Sequence, residues 1–175
     1  MHDKNFKQDF DNEKKQAIEL GLPALKKVFP RSAIKNVTAK ALQVKGVDFQ
    51  VDETANVDAK YLAYNNGGCA QVELYYKTAG GMQCPSWGLR PNATNYYMFV
   101  FIPTNTAYIY SATEIRKWAH NNKDTRKKFW NKGHTTCFIN FAFDEIKCFA
   151  KTEIDCSKWP TKQTIYTKEQ LLANN

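Results

Sequence analysis

Length, composition and charge narrow the class of protein. The chain has 175 residues, a usual size for one domain, and 43% of them are hydrophobic. This apolar content, which includes 11 Phe, 9 Tyr and 4 Trp, excludes a disordered chain, because burying it offsets the loss of chain entropy. We therefore expect a single folded domain over residues 1–175.

The charge balance favours a polyanionic partner. The chain carries 25 Lys and Arg residues against 17 Asp and Glu residues, a formal net charge of +8. Cations that neutralise phosphates release condensed counterions, so nucleic acid is the first partner to consider, with a solvated basic surface as the alternative. No stretch has the character of a secretory signal or of a membrane span, and we expect a cytoplasmic protein without membrane contact.

The first predicted elements in chain order are a helix and a hairpin. Apolar residues recur at broadly helical spacing over residues 9–28, where Gly21 and Pro23 favour a break or a kink. Over residues 41–64 the pattern changes to short alternating segments rich in Val, Phe and Tyr, interrupted by the polar residues 52–56. This change predicts two antiparallel strands joined by a turn.

Further strands and a second helix follow. Residues 71–76 are typical of a strand, and the nearly unbroken apolar run 96–102 predicts a central strand that is covered on both faces. Residues 106–110 predict one more strand, after which 111–114 look like the start of a helix. Residues 136–143 alternate in a way that predicts an edge strand. The chain is therefore expected to form an α/β domain.

Two carboxylates and one ammonium group are predicted to meet on the hairpin. If its turn centres near Glu53, Asp48 lies opposite Asp58, and Lys60 shares a sheet face with Asp58 because it follows two residues later. Directly opposed like charges destabilise a hairpin unless a cation compensates them, and Mg²⁺ prefers one or two carboxylates with water and phosphate oxygens. The alternative is a polar face on which Lys60 bridges two solvated aspartates.

A resemblance favours the metal-site interpretation. The order Gln43-Val44-Lys45-Gly46-Val47-Asp48, followed by Val57-Asp58-Ala59-Lys60, resembles the signature of the PD-(D/E)XK nuclease superfamily, which has an acid on one strand and acid-x-Lys on the next. Downstream, Ser86-Trp87-Gly88 and residues 94–100 resemble small phage and bacterial members. The resemblance covers about residues 40–118.

The resemblance implies both a fold and an activity. The fold is a three-layer, restriction-endonuclease-like α/β arrangement with a central mixed sheet flanked by helices. The activity is Mg²⁺- or Mn²⁺-dependent hydrolysis of DNA phosphodiester bonds, by an endonuclease rather than an exonuclease. The resemblance also points to a phage or mobile-element origin, hence to the host cytoplasm. It leaves the oligomeric state open, a homodimer included.

The resemblance also assigns roles to residues. Asp48 and Asp58 carry over as metal-binding catalytic acids and Lys60 as the catalytic lysine. A helix acid is often added in this superfamily, and Glu13 and Glu19 both compete for that role. Glu73, on the next predicted strand, is a candidate third metal ligand or a group that orients Lys60, with a solvated strand residue as the alternative.

A competing register uses Asp52, with Thr54 in the position of the lysine, and indicates an inactive relative. Two rival functions also remain. An inactive nuclease-fold protein would bind nucleic acid or a host protein, as an accessory or anti-defence factor does, and a protein-interaction module would bind a host protein through aromatic patches. In a protein that binds nucleic acid, basic residues that flank the site in sequence are expected to contact phosphates without reading the base sequence. These residues are Lys77, Arg90, Arg116, Lys117, Arg126, Lys127, Lys128 and Lys132.

Overall fold

The computed structural model describes residues 15–37, 46–63, 68–131, 133 and 135–159. Its first elements are a π-helical turn, Ala17–Gly21, and helix α1, Leu22–Val28. Within the described residues, ten strands, a short 3-10 helix (Ile102–Thr104) and one longer helix follow. The strands are β1 (Ile34–Asn36), β2 (Phe49–Val51), β3 (Ala55–Leu62), β4 (Cys69–Lys77), β5 (Gln83–Pro85), β6 (Tyr96–Phe101), β7 (Thr106–Ser111), β8 (Phe129–Trp130), β9 (Thr136–Ala142) and β10 (Ala150–Glu153). Helix α2 spans Ala112–Asn122.

The strands form two sheets. A six-stranded sheet has the order β1-β2-β3-β6-β7-β10, and a four-stranded sheet has the order β5-β4-β9-β8. In the first sheet β3 and β6 run parallel while every other neighbouring pair runs antiparallel, so this sheet is mixed. The fold is therefore α/β with a central mixed sheet, as the sequence predicts.

The β2–β3 hairpin turns where the polar residues 52–56 predict it. Asp52 and Glu53 both adopt positive φ angles, 50° and 58°, which closes the turn between β2 and β3. The register pairs Phe49 with Val57 and Val51 with Ala55, and the regular pairing ends at Phe49, because the N–H of Asp48 donates to the carbonyl oxygen of Val57 rather than to that of Asp58. The predicted turn and the pairing of β2 with β3 are confirmed, but Asp48 does not pair directly with Asp58 and instead contacts β3 through its side chain, at the N–H of Ala59.

Strand β6 occupies the centre of the six-stranded sheet. It lies between β3 and β7, and Tyr97 to Phe101 are buried on both of its faces. Such a strand needs apolar side chains at every position, which explains the unbroken run in its sequence. The predicted central strand is confirmed.

Two apolar cores lie on opposite faces of the six-stranded sheet. On one face, Leu20 and Leu25 of the N-terminal helical segment pack against side chains such as Phe49 and Met98. On the other, Phe99 packs with Phe141 of the four-stranded sheet and Ile115 of α2 among others. The resemblance implies helices on both faces, whereas the second face is covered by a sheet together with α2.

Strand β9 corrects one prediction. The alternation over residues 136–143 predicts an edge strand, but β9 pairs with β4 on one side and β8 on the other. Ile139 and Phe141 of this strand are buried on the core face, and Asn140 on the other face is also buried. The edge prediction is therefore wrong, because the two-residue partner β8 is too short to leave a periodic signal.

Candidate functional site

An open pocket of about 480 Å³ lies where the β2–β3 hairpin, β4 and the segment after β5 meet. The charged side chains of the described chain that line it are Asp58, Lys60, Glu73 and Arg90, and Ser86 and Trp87 lie beside them. The pocket thus brings together residues from three separate stretches of the sequence. It contains the acid-x-Lys motif that the sequence singles out.

Asp58 and Lys60 form an ion pair on β3. They lie on the face of the sheet opposite to the core residues Val57 and Ala59, because side chains alternate along a strand. Lys60 Nζ lies 2.7 Å from Asp58 Oδ1 and 5.8 Å from the centre of the Trp87 ring. The Asp58 side chain is 4% exposed and that of Lys60 is 36% exposed, so the carboxylate is buried in the pocket while part of the lysine side chain reaches solvent.

Asp48 is fixed against the same strand. Its Oδ2 accepts a hydrogen bond from the backbone N–H of Ala59 at 2.8 Å, and its own N–H donates to the carbonyl oxygen of Val57 at 2.9 Å. These bonds hold the Asp48 carboxylate next to the residue that separates Asp58 from Lys60. The charge of Asp48 acts on both, since it raises the pKa of each.

Glu73 enters from the second sheet. Ser86 Oγ donates a hydrogen bond to Glu73 Oε2 at 3.0 Å, and the N–H of Gly88 donates to the Glu73 carbonyl oxygen at 2.9 Å. A Cβ atom at residue 88 would lie 2.3 Å from Val72 Cγ1 and 2.4 Å from that carbonyl oxygen, so only glycine allows this close approach. The close contact fixes the Trp87 segment against the strand that carries Glu73.

The ionisation of the pair departs from the ordinary values. Burial raises the pKa of Asp58 to about 6, against the attraction of Lys60 and with the help of the nearby charges of Asp48 and Glu73. Burial lowers the pKa of Lys60, but the three carboxylates raise it more, so the net shift is upward. Lys60 therefore stays charged at neutral pH, whereas the pKa of Asp58 lies only slightly below neutral pH.

Asp48, Asp58 and Glu73 are the carboxylates at or beside the pocket that could hold a divalent cation. Each carboxylate has one oxygen engaged: Asp48 with Ala59, Asp58 with Lys60 and Glu73 with Ser86. Within the described ranges, no three His, Cys, Asp or Glu side chains converge as a complete metal-binding group. Mg²⁺ requires only one or two carboxylates when water and phosphate complete its shell, so Asp58 with Asp48 or Glu73 would suffice. A caged structural metal does not fit.

The sequence does not predict a hydrogen-bond network that lies beside the pocket. Asn92 Nδ2 donates to the Tyr97 hydroxyl at 3.0 Å, while Asn92 Oδ1 accepts from Arg116 at 3.2 Å and from the N–H of Thr94 at 3.1 Å. Thr94 Oγ1 in turn donates to the carbonyl oxygen of Gly46 at 3.0 Å. Part of the network could have been predicted from the Pro91-Asn92 turn, because an asparagine side chain often hydrogen-bonds to the backbone of the residue two positions later.

This network supports the wall of the pocket near Asp58. Tyr97 is paired with Asp58 in the parallel register of β3 and β6, and its ring centre lies 4.5 Å from that of Trp87. Burial raises the pKa of Tyr97, so its hydroxyl keeps its proton and remains a hydrogen-bond donor. A Cβ atom at Gly46 would lie 3.1 Å from Asp58 Oδ2, which shows how closely the supported loop approaches the carboxylate.

The other predicted acids do not join the cluster. Glu19 lies in the π-helical turn, whose Ala17 and Leu20 pack on the opposite face of the six-stranded sheet, and it does not line the pocket. Asp52 lies in the exposed hairpin turn, where its Oδ1 accepts a hydrogen bond from the N–H of Ala33. The competing register therefore has no support in this geometry. Glu13 lies outside the described residues.

The predicted phosphate-binding residues are spread over the surface. Arg90 is exposed and lines the pocket, whereas Arg116 is engaged with Asn92 beside it. The others lie elsewhere: Lys117 is exposed on α2, Lys77 over Trp130, Arg126 paired with Glu145, Lys127 over Phe129 and Lys128 near Asp124. Lys132 lies outside the described residues. Of the whole set, Arg90 has the placement that a phosphate contact at the pocket requires.

Comparison of the chain with protein-family models, curated proteins and solved structures found no match. No helix among the described residues has the length and apolar character needed to cross a membrane. The chemistry of the pocket is therefore the main guide to function.

Proposed function

We propose that the chain is a divalent-metal-dependent nuclease that hydrolyses DNA phosphodiester bonds. One observation carries the proposal: a buried carboxylate, Asp58, is kept in an open pocket beside Asp48, Glu73 and Lys60. Burying an acid among like charges is costly, and such groups cluster at functional sites. The arrangement is the one implied by the resemblance to PD-(D/E)XK nucleases, with Glu73 as an additional acid.

The mixed sheet supports a restriction-endonuclease-like core as part of this proposal. The two acids of the motif come from a β hairpin, and its second strand has a parallel neighbour in β6. The pocket opens to solvent at the end of this hairpin. An opening of this kind suits an internal phosphodiester better than a closed tunnel does, so we propose an endonuclease.

Each residue of the pocket would have a distinct role. Asp58, with Asp48 or Glu73, would hold Mg²⁺ or Mn²⁺. Such a cation polarises a phosphoryl group and stabilises the leaving oxygen when it is bound. Lys60 keeps its proton, and we assign it the role of neutralising charge that develops on the phosphate rather than that of a general base. Arg90, at the exposed side of the pocket, would position the DNA backbone.

Incubation of the purified protein with plasmid, linear and single-stranded DNA tests the proposal. We expect cutting with Mg²⁺ or Mn²⁺, none with EDTA, and a loss of at least about a hundredfold in Lys60→Ala, the scale of losing one electrostatic stabiliser. Lys151→Ala is the matched control, because Lys151 also lies over an aromatic ring, at 5.3 Å from that of Tyr108, on an edge strand. Undiminished metal-dependent cutting by Lys60→Ala would contradict the assignment.

A second candidate function follows from the ion pair itself. Lys60 already occupies one oxygen of Asp58, and the described acids form no complete metal-binding group. Both observations also suit an inactive nuclease-fold protein that binds nucleic acid or a host protein. For such a protein, DNA retention would be weakened steeply by salt, cutting would be absent with every metal, and Asp48→Ala would leave binding intact.

A further inference from the structure

The outer face of the four-stranded sheet carries two phenylalanines in line with the candidate site. Phe138 of β9 lies directly opposite Glu73 of β4, and Phe129 of β8 lies directly opposite Phe138. Neighbouring strands are about 4.8 Å apart, so Phe138 and Phe129 lie roughly one and two strand spacings from Glu73. We call Phe138 and Phe129 the aromatic row.

The aromatic row faces away from the core. Val72 of β4 and Ile139 of β9, the neighbours of Glu73 and Phe138 in the chain, are buried in the core between the two sheets. Because side chains alternate along a strand, Glu73 and Phe138 point to the other face. Both rings of the row are partly exposed, although the outer face of a sheet needs no large apolar side chains.

The row has the composition of a stacking surface with a cation beside it. The two ring centres are 5.8 Å apart and the ring planes differ by 16°, so the rings lie nearly parallel. Lys127 Nζ lies 5.7 Å from the centre of the Phe129 ring. Flat aromatic faces with a neighbouring ammonium complement bases and phosphates. The net charge of the chain, +8, is also positive and so favours a polyanion.

We propose that the aromatic row binds single-stranded DNA next to the pocket, by stacking unpaired bases on Phe138 and Phe129 with Lys127 near the backbone. A duplex hides the faces of its bases, so only an unpaired strand can use this surface. The link to cutting rests on the proposed nuclease function, because Glu73, which is paired with Phe138, lines the pocket. The preferred substrate would then be single-stranded DNA or a duplex with an unpaired end.

Fluorescence anisotropy with a labelled oligothymidylate, measured in EDTA so that no cutting occurs, tests the proposal. We expect Phe138→Leu and Phe129→Leu to weaken strand binding by about five- to fiftyfold each, as loss of a base stack does, and to leave duplex binding unchanged. Leucine keeps an apolar side chain at each position, and circular dichroism would show that the variants are folded. Phe149→Leu is the matched control, because Phe149 is an exposed aromatic residue packed on Tyr96 and Phe29 instead.

The outcomes separate this proposal from the nuclease proposal. Normal strand binding by both variants of the row, or an equal loss in Phe149→Leu, would overturn the aromatic row even if the protein cuts DNA. Loss of strand binding confined to the row would support it even if no metal gives cutting, and only the nuclease proposal would then fail. The same dependence with an oligouridylate would support the surface and show that it accepts RNA as well.

Discussion

Asp58→Asn is expected to abolish metal-dependent DNA cutting while making the protein more stable at pH 8. The two effects have one cause, the cost of keeping an ionised carboxylate buried in the pocket. Its pKa of about 6, against 3.8 for a free side chain, corresponds to roughly 3 kcal/mol in favour of the neutral form in the folded protein. Asparagine is neutral and has nearly the same shape, so we expect a gain of about 1–3 kcal/mol in the free energy of unfolding.

The sign of this gain depends on pH. Asp58 has a folded-state pKa that is raised, so the wild-type protein loses stability as pH rises from about 4 through about 6. The higher free energy of unfolding of Asp58→Asn should therefore be present at pH 8 and largely absent at pH 4, where the wild-type carboxyl is protonated and hence neutral like asparagine. Urea unfolding at both pH values measures this difference.

Asp155→Asn provides the control for the stability measurement. Asp155 is exposed and its pKa is lowered by hydrogen bonds from Ser157, so neutralising it should bring no gain. If Asp58→Asn were instead less stable than the wild-type protein at pH 8, Asp58 would be a structural member of the ion pair. Retained cutting in this variant would remove Asp58 from the site.

The rate of cutting is expected to fall about tenfold per pH unit as pH drops below about 6 at low metal concentration. A carboxyl with a raised pKa gains its proton as pH falls through that value, and a protonated Asp58 cannot bind a cation well. Lys60 remains charged over the same range, since its pKa is shifted upward, and does not produce this change.

Single-turnover cutting rates between pH 5 and 8, at two Mg²⁺ concentrations, check this expectation. Because the cation competes with the proton for Asp58, the midpoint should move to lower pH when the Mg²⁺ concentration is raised. A rate that is the same at pH 5 and pH 8 would show that Asp58 does not bind the metal. A midpoint that is independent of metal concentration would assign the titration to another group.

The hairpin and its motif were predictable because their information is local. The polar stretch from Asp52 to Asn56 fixes the turn, and alternation then determines which side chains share a face. Asp58 and Lys60, two residues apart on one strand, must point the same way whatever the rest of the chain does. Likewise, the apolar run in β6 requires a strand with both faces covered.

The second sheet was not predictable, because strand partners depend on distant parts of the chain. The sequence identifies β4 as a strand but does not indicate that it pairs with β9 rather than with β3. The pairing of β4 with β9 places Glu73 at the pocket and makes β9 an internal strand. The position of Glu73 on the next strand makes it a candidate from the sequence, whereas its hydrogen bond from Ser86 depends on the folded chain.

The basic residues show a similar limit. The composition gives the number of basic residues and the net charge, but it does not show where the basic residues lie. Arg90 lines the pocket, whereas Arg116 donates to Asn92 and so supports the Tyr97 wall instead of pointing freely at a phosphate. Such a role depends on the distance between α2 and the loop after β5, which no local pattern records.

The most direct test of a metal site at Asp58 is the broadening of amide NMR signals by traces of Mn²⁺, which needs no substrate. We expect the amides of Ala59, Lys60 and Ser86 to broaden first, because they lie beside the three carboxylates, and this pattern to disappear in Asp58→Asn. Broadening that is strongest at exposed acids such as Asp124 and Asp155, and unchanged in Asp58→Asn, would contradict a metal site in the pocket.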